Sequence, residues 1–305
     1  LVNIPPIIII IALVYTLFSQ ISEVLLILWR VSAKTISFGV FRVTKTIMDL
    51  ALSLILIVTF KMGWEGRIIP QLLVAIIFGI VASFLLYRNG YLTVMKIDKH
   101  YRKEALSFSL PLVFHTLGSV LIGFSDRFFI LLMLGLSDVG IYSVGYQIGM
   151  ILALLQNSFN QAWVPFFFEK LKENKMSEKI RIVKITYVYF GALLLVALLL
   201  YLLTPMLYKY YIGSAFESGS SVVLWVLFGY AFQGMYRMAV NYLFFLKKTK
   251  LIAYCTLFSM VLNLGLNYFL ILKNGIDGAA QATLVSFMVL FIIVFIFAKR
   301  SFKMP

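Results

Sequence analysis

Nine long apolar stretches dominate this chain of 305 residues and constrain its fold more than any other feature. A run of about 18 or more apolar residues with few charges is long enough to cross a bilayer as a helix. No segment between the stretches is long enough to form a soluble domain. The sequence therefore predicts an all-α integral membrane protein with about nine transmembrane helices. The stretches lie near residues 4–28, 46–60 (with a start near 37), 68–87, 105–134, 139–166, 182–203, 220–246, 251–272 and 278–298.

The composition excludes a soluble globular chain. Hydrophobic residues make up 62% of the sequence and charged residues 13%, with a mean hydropathy of +0.98. Cys255 is the single cysteine, so an intramolecular disulfide is excluded. The chain starts at Leu1, and its first apolar run is too long for a signal peptide. We interpret this start as a truncation.

Membrane topology explains the net charge of +15 better than nucleic acid does. Of the 27 Lys and Arg residues, 21 lie at alternate helix ends, and the positive-inside rule assigns those ends to the cytoplasm. The predicted cytoplasmic segments include 29–45, 88–104, a solvated loop at 168–181, and 247–250. The remaining basic residues are Lys61, Arg67, Lys209 and Lys273 at outer helix ends, and Arg127 and Arg237 inside predicted helices.

An internal repeat predicts two lobes. Gly63-Trp64-Glu65-Gly66 matches Gly275-Ile276-Asp277-Gly278 with an offset of 212 residues, so predicted helices two and three correspond to helices eight and nine. This even offset of six helices indicates parallel repeats, related by an axis along the membrane normal. We therefore predict a twelve-helix protein with three helices missing before Leu1. Residues 1–88 form the second half of an N-terminal six-helix lobe, 89–104 a cytoplasmic linker, and 105–305 a complete C-terminal six-helix lobe.

Polar side chains share one face on each of four helices in the predicted C-terminal lobe, at about 100° per residue. Exposing four polar stripes to lipid is costly, so we expect them to line a substrate cavity. The candidate residues are His115, Asp126 and the adjacent Arg127 on helix four; Tyr146, Asn157, Asn160 and Gln161 on helix five; Gln233, Arg237 and Asn241 on helix seven; and Asn263 and Asn267 on helix eight.

Some of these residues also admit a purely structural interpretation. Buried amides often form interhelical hydrogen bonds worth about 0.6 kcal/mol, and we weigh this role equally with cavity lining for Asn263 and Asn267. A lone histidine such as His115 is by default a satisfied core residue. Arg237 is harder to explain in this way, because it lies about 13 Å from the cytoplasmic end of its helix, deeper than a snorkelling arginine.

Small and aromatic residues have simpler expected roles. The pair Gly145 and Gly149 indicates a close helix contact. The aromatic residues near helix ends are expected to be mostly interfacial anchors, namely Trp29, Trp64, Tyr87 and Trp163. The sequence shows no paired carboxylates at catalytic spacing, no cluster of metal ligands, no phosphate-binding loop and no nucleophile elbow. We therefore expect no enzyme activity and no bound cofactor or metal.

The stretch covering helices four and five carries a family resemblance. The matching residues are Pro111, His115, Asp126-Arg127, Gly135, Val139-Gly140-Ile141-Tyr142-Ser143 and Phe159-Asn160-Gln161-Ala162-Trp163-x-Pro165-Phe166. On these residues the chain resembles the polysaccharide (O-antigen, Wzx-type) flippases of the multidrug/oligosaccharidyl-lipid/polysaccharide (MOP) exporter superfamily. The first three helices of that family are unmatched.

The resemblance implies a two-lobed, multi-pass transporter of the bacterial cytoplasmic membrane. Such a transporter carries an undecaprenyl-diphosphate-linked oligosaccharide to the outer leaflet by alternating access. The implied partners are the lipid-linked oligosaccharide, membrane lipids and polysaccharide assembly proteins, but no nucleic acid. The resemblance carries over Asp126 and Arg127 as motif residues. Arg237 and His115 are offered as phosphate-facing groups on helix-face geometry, because both give charge-assisted hydrogen bonds to phosphate.

Two other functions stay open at this point. A multidrug exporter of the same superfamily would favour an acidic, aromatic cavity for organic cations, whereas the charges inside the predicted helices lean basic. A membrane-embedded polysaccharide polymerase would favour a large outer loop with Arg or His, which the sequence does not contain.

Overall fold

The computed structural model describes residues 6–92 and 98–302 of the chain. The chain divides between residues 97 and 98 into two compact units, here the N-terminal unit and the C-terminal unit. A π-helical turn (Ile55–Thr59) follows α2, and another (Tyr208–Ile212) follows α6 and leads into a 3₁₀-helix (Ser214–Gly219). The α-helices over the described ranges are α1 (Pro6–Val31), α2 (Thr35–Leu54), α3 (Glu65–Arg88), α4 (Lys99–Met133), α5 (Leu136–Glu173), α6 (Met176–Leu207), α7 (Ser220–Phe245) and α8 (Thr249–Ser301).

Seven of the helices in these two ranges are long and apolar enough to cross a membrane, namely α1 and α3 to α8. The helix α2 falls short because Arg42, Lys45 and Asp49 lie within its 20 residues. The helix α8 has 53 residues. It would be about 80 Å long if straight, more than twice the thickness of the hydrocarbon core. It must therefore bend.

The bend in α8 is at Gly275, where φ is 58° and ψ is −137°, a conformation that favours glycine. Two arms result, residues 249–274 and 276–301. An ideal Cβ placed on Gly278 would lie 2.0 Å from the Leu270 carbonyl oxygen, so the second arm starts directly against the end of the first. The arms are the predicted helices eight and nine. With the arms counted separately, the prediction of about nine helices is confirmed for the described residues.

Three helices extend further than hydropathy indicates. The helix α4 begins at Lys99 rather than at 105, α5 ends at Glu173 rather than at 166, and α6 begins at Met176 rather than at 182. Charged residues continue a helix by pairing along it, as Lys170 does with Glu173 at 2.6 Å. Hydropathy detects only the apolar middle of such a helix and misses its charged ends.

Two loop predictions are corrected by these longer helices. The solvated loop expected over 168–181 is wrong, because only residues 174 and 175 lie between α5 and α6. The linker expected over 89–104 is already helical from Lys99 onward, and its residues 93–97 lie outside the described residues.

The three helices of the N-terminal unit pack around aromatic side chains. The Phe41 ring of α2 lies edge-on to Trp29 of α1, with centroids 5.7 Å apart, and to Phe78 of α3 at 5.0 Å. The side chain of Trp29 is 8% exposed and that of Trp163, in the C-terminal unit, is 5% exposed. The expectation that these two anchor the membrane interface is wrong, because their rings pack into the protein core. Trp64 and Tyr87 are exposed, and their role as anchors stays a prediction.

The helix α7 is the centre of the C-terminal unit, where it packs against α5, α6 and α8, while α4 packs against α8. Glycines allow α5 to approach closely. An ideal Cβ on Gly145 would lie 2.4 Å from the Gly219 carbonyl oxygen, and one on Gly149 would lie 2.2 Å from a Val226 methyl carbon. The predicted close contact at these two α5 glycines is confirmed. It brings the polar residues of α5 against α7.

Candidate substrate-binding site

Asp126 of α4 is completely buried and fully bonded. Its carboxylate accepts one hydrogen bond from the Tyr142 hydroxyl of α5 and another, 2.8 Å long, from the backbone N–H of Arg127. Residues 126 and 142 lie at equal distances along the chain from residue 134, at the turn between α4 and α5, and so share one depth in the helical hairpin. A buried carboxylate requires such partners because its removal from water is costly.

The Arg127 guanidinium lies between this carboxylate and an aromatic ring. It is 3.5 Å from Asp126 Oδ1, and it donates to the Gly123 carbonyl at 3.1 Å. Its other neighbour is the Tyr146 ring, whose centroid is 4.3 Å away, within the range of a cation–π contact. The Arg127 side chain stays 24% exposed, so it is the accessible member of the pair.

Tyrosines connect this cluster to α7. The Tyr230 hydroxyl of α7 donates to the Tyr146 hydroxyl at 3.0 Å, and the two rings meet edge-on at 5.7 Å. Tyr142 and Tyr146 also contact each other at 5.6 Å between centroids. These contacts connect three helices around one partly buried ion pair. The cluster consists of Asp126, Arg127, Tyr142, Tyr146 and Tyr230.

His115, partly buried on α4, contacts α8. Its Nδ1 lies 2.7 Å from the Thr256 hydroxyl oxygen, and that hydroxyl donates to the Ile252 carbonyl at 3.0 Å. Because the Thr256 proton is directed at the carbonyl, the geometry favours Nδ1–H of His115 as the donor. The Tyr236 ring of α7 lies 6.4 Å from the imidazole.

Asn263 and Asn267 form a second buried network with Ser125 of α4. The Ser125 hydroxyl donates to Asn263 Oδ1 at 2.8 Å, and Asn267 Nδ2 donates to the same oxygen at 3.0 Å. Both asparagines have no exposed surface. The three side chains form a hydrogen-bonded contact between α4 and the first arm of α8. Asn263 Nδ2 and Asn267 Oδ1 have no partner among the described residues.

The amides of α5 and α7 meet at one point. Gln156, which is fully buried, donates from Nε2 to Gln233 Oε1 at 3.0 Å. Asn157 is exposed, and Asn160 and Gln161 are partly buried. Asn241 is 4% exposed, and its Nδ2 has no partner among the described residues.

Arg237 has no carboxylate partner within residues 98–302, although its side chain is half-buried. The titratable side chains near it within the described residues are those of Tyr189, Tyr230 and Tyr236. It lies one helical turn from Gln233 and one turn from Asn241, on the same face of α7. An unpaired guanidinium at this depth is an available donor.

The structure brings only some of the candidates together. Asp126, Arg127 and Tyr146 form one cluster, and Asn263 and Asn267 form another. His115 and Gln233 lie at separate helix contacts, and Arg237 lies one turn from Gln233 on α7. The remaining candidates, which make no hydrogen bond to another candidate among the described residues, are Asn157, Asn160, Gln161 and Asn241.

The N-terminal unit contains a charged cavity that the sequence analysis missed. It has a volume of about 190 Å³, and its lining includes Glu23, Arg42, Lys45 and Asp49. The last three lie three and four residues apart on α2, a spacing that places them on one face and could have revealed the site. Beside the cavity, the Arg67 guanidinium lies 3.1 Å from Asp49 Oδ2. Among the described residues, no group of His, Cys, Asp or Glu is arranged to hold a metal ion.

Comparison with known proteins identifies the family of this chain. The family model described as polysaccharide biosynthesis protein matches residues 3–171, more than half of the chain. A protein of the Lsg locus of Haemophilus influenzae is 28% identical over 183 residues, 59% of this chain and 45% of that protein. A membrane protein of the same organism is 27% identical over 255 residues, 82% of this chain and 62% of that protein. The chain thus spans less than two thirds of either relative.

Solved transporter structures share the fold. A mutant MATE transporter of Vibrio cholerae superimposes with a TM-score of 0.75 at 16% identity, covering 99% of this chain and 72% of that one. A MOP superfamily transporter from Pyrococcus furiosus, described as having a binding pocket of reverse polarity, gives a TM-score of 0.71 at 15% identity, covering 87% and 62%. At such identities the likeness shows the fold alone, which is the twelve-helix, two-lobed transporter fold. The chain is therefore a multi-pass integral membrane protein with a transporter fold, and it belongs to the polysaccharide biosynthesis protein family.

Proposed function

We propose that the protein is a flippase that carries a lipid-diphosphate-linked oligosaccharide, such as an O-antigen unit, to the outer leaflet of the bacterial cytoplasmic membrane. Membership of the polysaccharide biosynthesis family supports a glycan substrate. The transporter fold supports movement of that glycan across the membrane by alternating access, rather than its synthesis.

Arg237 is the observation on which the proposal rests. Its guanidinium is half-buried, and no carboxylate between residues 98 and 302 pairs with it. Diphosphate is the group of the substrate that matches this donor, because guanidinium and phosphate form two parallel charge-assisted hydrogen bonds. Tyr189 and Tyr230, near it, offer hydroxyls and not carboxylates.

Amides on the same face of α7 suit the sugar that follows the diphosphate. Asn241, one turn from Arg237, keeps a buried Nδ2 without a partner among the described residues. Gln233, one turn away on the other side, is held by Gln156. Amide groups both donate to and accept from hydroxyls, which is the chemistry that a glycan presents.

The test is replacement of Arg237 in the full-length protein. Arg237→Ala should abolish glycan export while the protein reaches the membrane in normal amounts. Arg237→Lys should keep part of the activity, because lysine retains the charge but loses the paired donors. Export is measured as surface polysaccharide and as lipid-linked oligosaccharide accumulating in the inner leaflet.

Arg181 supplies the matched control. It is exposed near the start of α6, 3.8 Å from Glu178, and Arg181→Ala should leave export unchanged because exposed ion pairs contribute little. If Arg237→Ala exports normally, the proposal is wrong. If it lowers the amount of membrane protein and export in equal proportion, Arg237 has a structural role and the proposal loses its support.

A multidrug exporter of the same superfamily is the second candidate, because Asp126 places a carboxylate inside the C-terminal unit. Binding an organic cation requires a carboxylate that is free to pair with it. Asp126 is fully buried and already accepts from Tyr142 and Arg127. We therefore expect expression of the protein to leave the efflux of ethidium unchanged in a strain that lacks its own multidrug pumps.

A further inference from the structure

We infer that the C-terminal unit has a separate carbohydrate-binding site in the cavity at the end of α6, and that this site receives the glycan portion of the substrate. The inference rests on the proposed flippase function, since that function supplies the glycan. The cavity has a volume of about 710 Å³, within the range of about 300–1,000 Å³ that is usual for ligand sites. Its lining includes Tyr201, Lys209, Ser214, Glu217, Ser220 and Ser221.

The backbone around this cavity is irregular. The cavity lies between the end of α6, the π-helical turn Tyr208–Ile212, the 3₁₀-helix Ser214–Gly219 and the start of α7. Gly213 between the two short helices has a φ of 92°. Such π-helical turns occur frequently at functional sites, because they interrupt regular packing and redirect side chains.

The position of the cavity matches the release side of the proposed transport. An ideal Cβ on Gly219 would lie 2.6 Å from the Ile141 carbonyl oxygen, so the cavity is at the end of the unit that carries the turn between α4 and α5. The positive-inside rule predicts that end to be the outer one. A glycan leaving the transporter would meet this cavity on the outer side.

The side chains of the cavity are available to a ligand. Ser214, Ser220, Lys209 and Glu217 line it, and none of them makes a side-chain hydrogen bond or an ion pair within the described residues. Serine hydroxyls donate and accept, the ammonium donates, and the carboxylate accepts. The ring of Tyr201 adds apolar surface beside these groups, whereas Tyr208 is almost fully buried in the wall of the cavity. Hydroxyls in many directions around an apolar face are the chemistry of a sugar ring.

The charge of the lining favours a sugar over a lipid phosphate. Lys209 and Glu217 contribute one positive and one negative charge, so the cavity has no net charge. A site for a phosphate headgroup would concentrate Lys or Arg, which phosphate binds through charge-assisted hydrogen bonds. We therefore assign the cavity to the glycan and not to the diphosphate.

Cysteine protection tests the site. Ser221 lines the cavity and is exposed, so Ser221→Cys in a Cys255→Ser background should react with a maleimide in the purified full-length protein. The probe is the lipid-free oligosaccharide released by mild acid from the lipid-linked pool of the host cells. Labelling should slow about tenfold when the oligosaccharide is present at ten times its Kd, by simple occupancy. Ser137→Cys, exposed at the start of α5, should label at an unchanged rate.

A second substitution tests whether a lining residue, Glu217, binds the oligosaccharide that protects the cysteine from labelling. Glu217→Ala in the Ser221→Cys protein should raise the oligosaccharide concentration needed for protection by about tenfold or more, which corresponds to the loss of a hydrogen bond to a charged group. Thr16→Ala, in the N-terminal unit, is the matched control and should leave that concentration unchanged.

Three outcomes would overturn the inference. One is protection by dihexanoylphosphatidylglycerol but not by the oligosaccharide, which would make the cavity a lipid site. Another is no protection by either compound. The third is protection that Glu217→Ala leaves unchanged. If one of these outcomes is observed and Arg237→Ala still abolishes export, only the carbohydrate-binding site is contradicted. The flippase proposal then stands.

Discussion

Asp126 and Arg127 are adjacent in the sequence, yet their side chains have opposite surroundings. The carboxylate of Asp126 has no exposed surface, while the Arg127 side chain is 24% exposed against the Tyr146 ring. Asp126 therefore acts as a fixed anchor that positions the arginine, and only Arg127 can reach a ligand. A motif of two charges thus has one structural member and one accessible member.

Tyr142→Phe tests the anchor, because it removes only the hydroxyl that donates to Asp126. The buried carboxylate then lacks one partner, which should destabilise the protein by about 1–3 kcal/mol. Asp126→Ala should destabilise the protein by a similar amount, about 1–3 kcal/mol, because it leaves the buried Tyr142 hydroxyl without its acceptor, while the partly exposed Arg127 guanidinium can be hydrated. Thermal unfolding in detergent measures both. Tyr201→Phe, on the partly exposed Tyr201, is the control and should unfold like the unchanged protein. If Tyr142→Phe also unfolds like the unchanged protein, the anchor role is wrong.

Helix periodicity predicted which face of a helix carries the polar side chains, but not which groups those side chains bind. Helix periodicity placed Asn263 and Asn267 on one face of α8, and the structure confirms that placement, since both contact Ser125. Ser125 itself was not predicted as a partner, because the rotation of α4 against α8 is a property of packing. Tyr142 could have been found from its distance to the hairpin turn, which equals that of Asp126. Whether the candidate residues line a substrate cavity stays a prediction.

The two motifs of the internal repeat, residues 63–66 and 275–278, have the same local role in the structure. An ideal Cβ on Gly66 would lie 2.9 Å from the Ile57 side chain, and one on Gly278 would lie 2.0 Å from the Leu270 carbonyl oxygen. In each motif the last glycine lets a helix start against the end of the preceding one. The connections differ, because residues 55–64, which include the π-helical turn Ile55–Thr59, separate α2 from α3, whereas Gly275 alone breaks α8. The superposition of these helix pairs stays a prediction.

Gly278→Ala should disrupt the bend of α8, because the added methyl group would meet backbone atoms of residues 270 and 271 that cannot move aside. We expect a sharp fall in correctly folded protein, measured as the monodisperse fraction in size-exclusion chromatography. Gly265→Ala is the matched control on the first arm, with no atom within 4 Å of the added group. It should be neutral or slightly stabilising, since alanine favours the helix by about 1 kcal/mol. Equal behaviour of the two variants would contradict the close contact described here.

Across the whole molecule, hydropathy predicted which segments are helices and missed where three of them end. It was right for the apolar middles of α4, α5 and α6, and wrong for their charged ends, because a helix can continue into water once its backbone is paired. The two-lobed fold is confirmed by the solved transporters. The assignment of 1–88, 89–104 and 105–305 to lobes and linker stays a prediction.

Membrane orientation follows from the charge pattern and is tested by labelling. In a Cys255→Ser background, Asn174→Cys between α5 and α6 should resist a membrane-impermeant maleimide applied to intact cells. Ser137→Cys, between α4 and α5, should react with it. Both positions are exposed, so accessibility within the protein does not separate them. Labelling of Asn174→Cys from outside would reverse the predicted topology and, with it, the direction of transport.

The short connection between α5 and α6 has a practical consequence for imaging. Residues 167–173 extend α5 by about 10 Å beyond its apolar part, and α6 starts again after two residues. Asn174 adopts the left-handed conformation that ends α5, and Lys170 and Lys175 both pair with Glu173, at 2.6 and 3.1 Å. A soluble domain inserted at residues 174–175 through two continuous helices should therefore move with the transporter as one rigid body. Because the chain has few features outside the bilayer, the inserted domain would serve as a landmark for aligning particle images in electron microscopy.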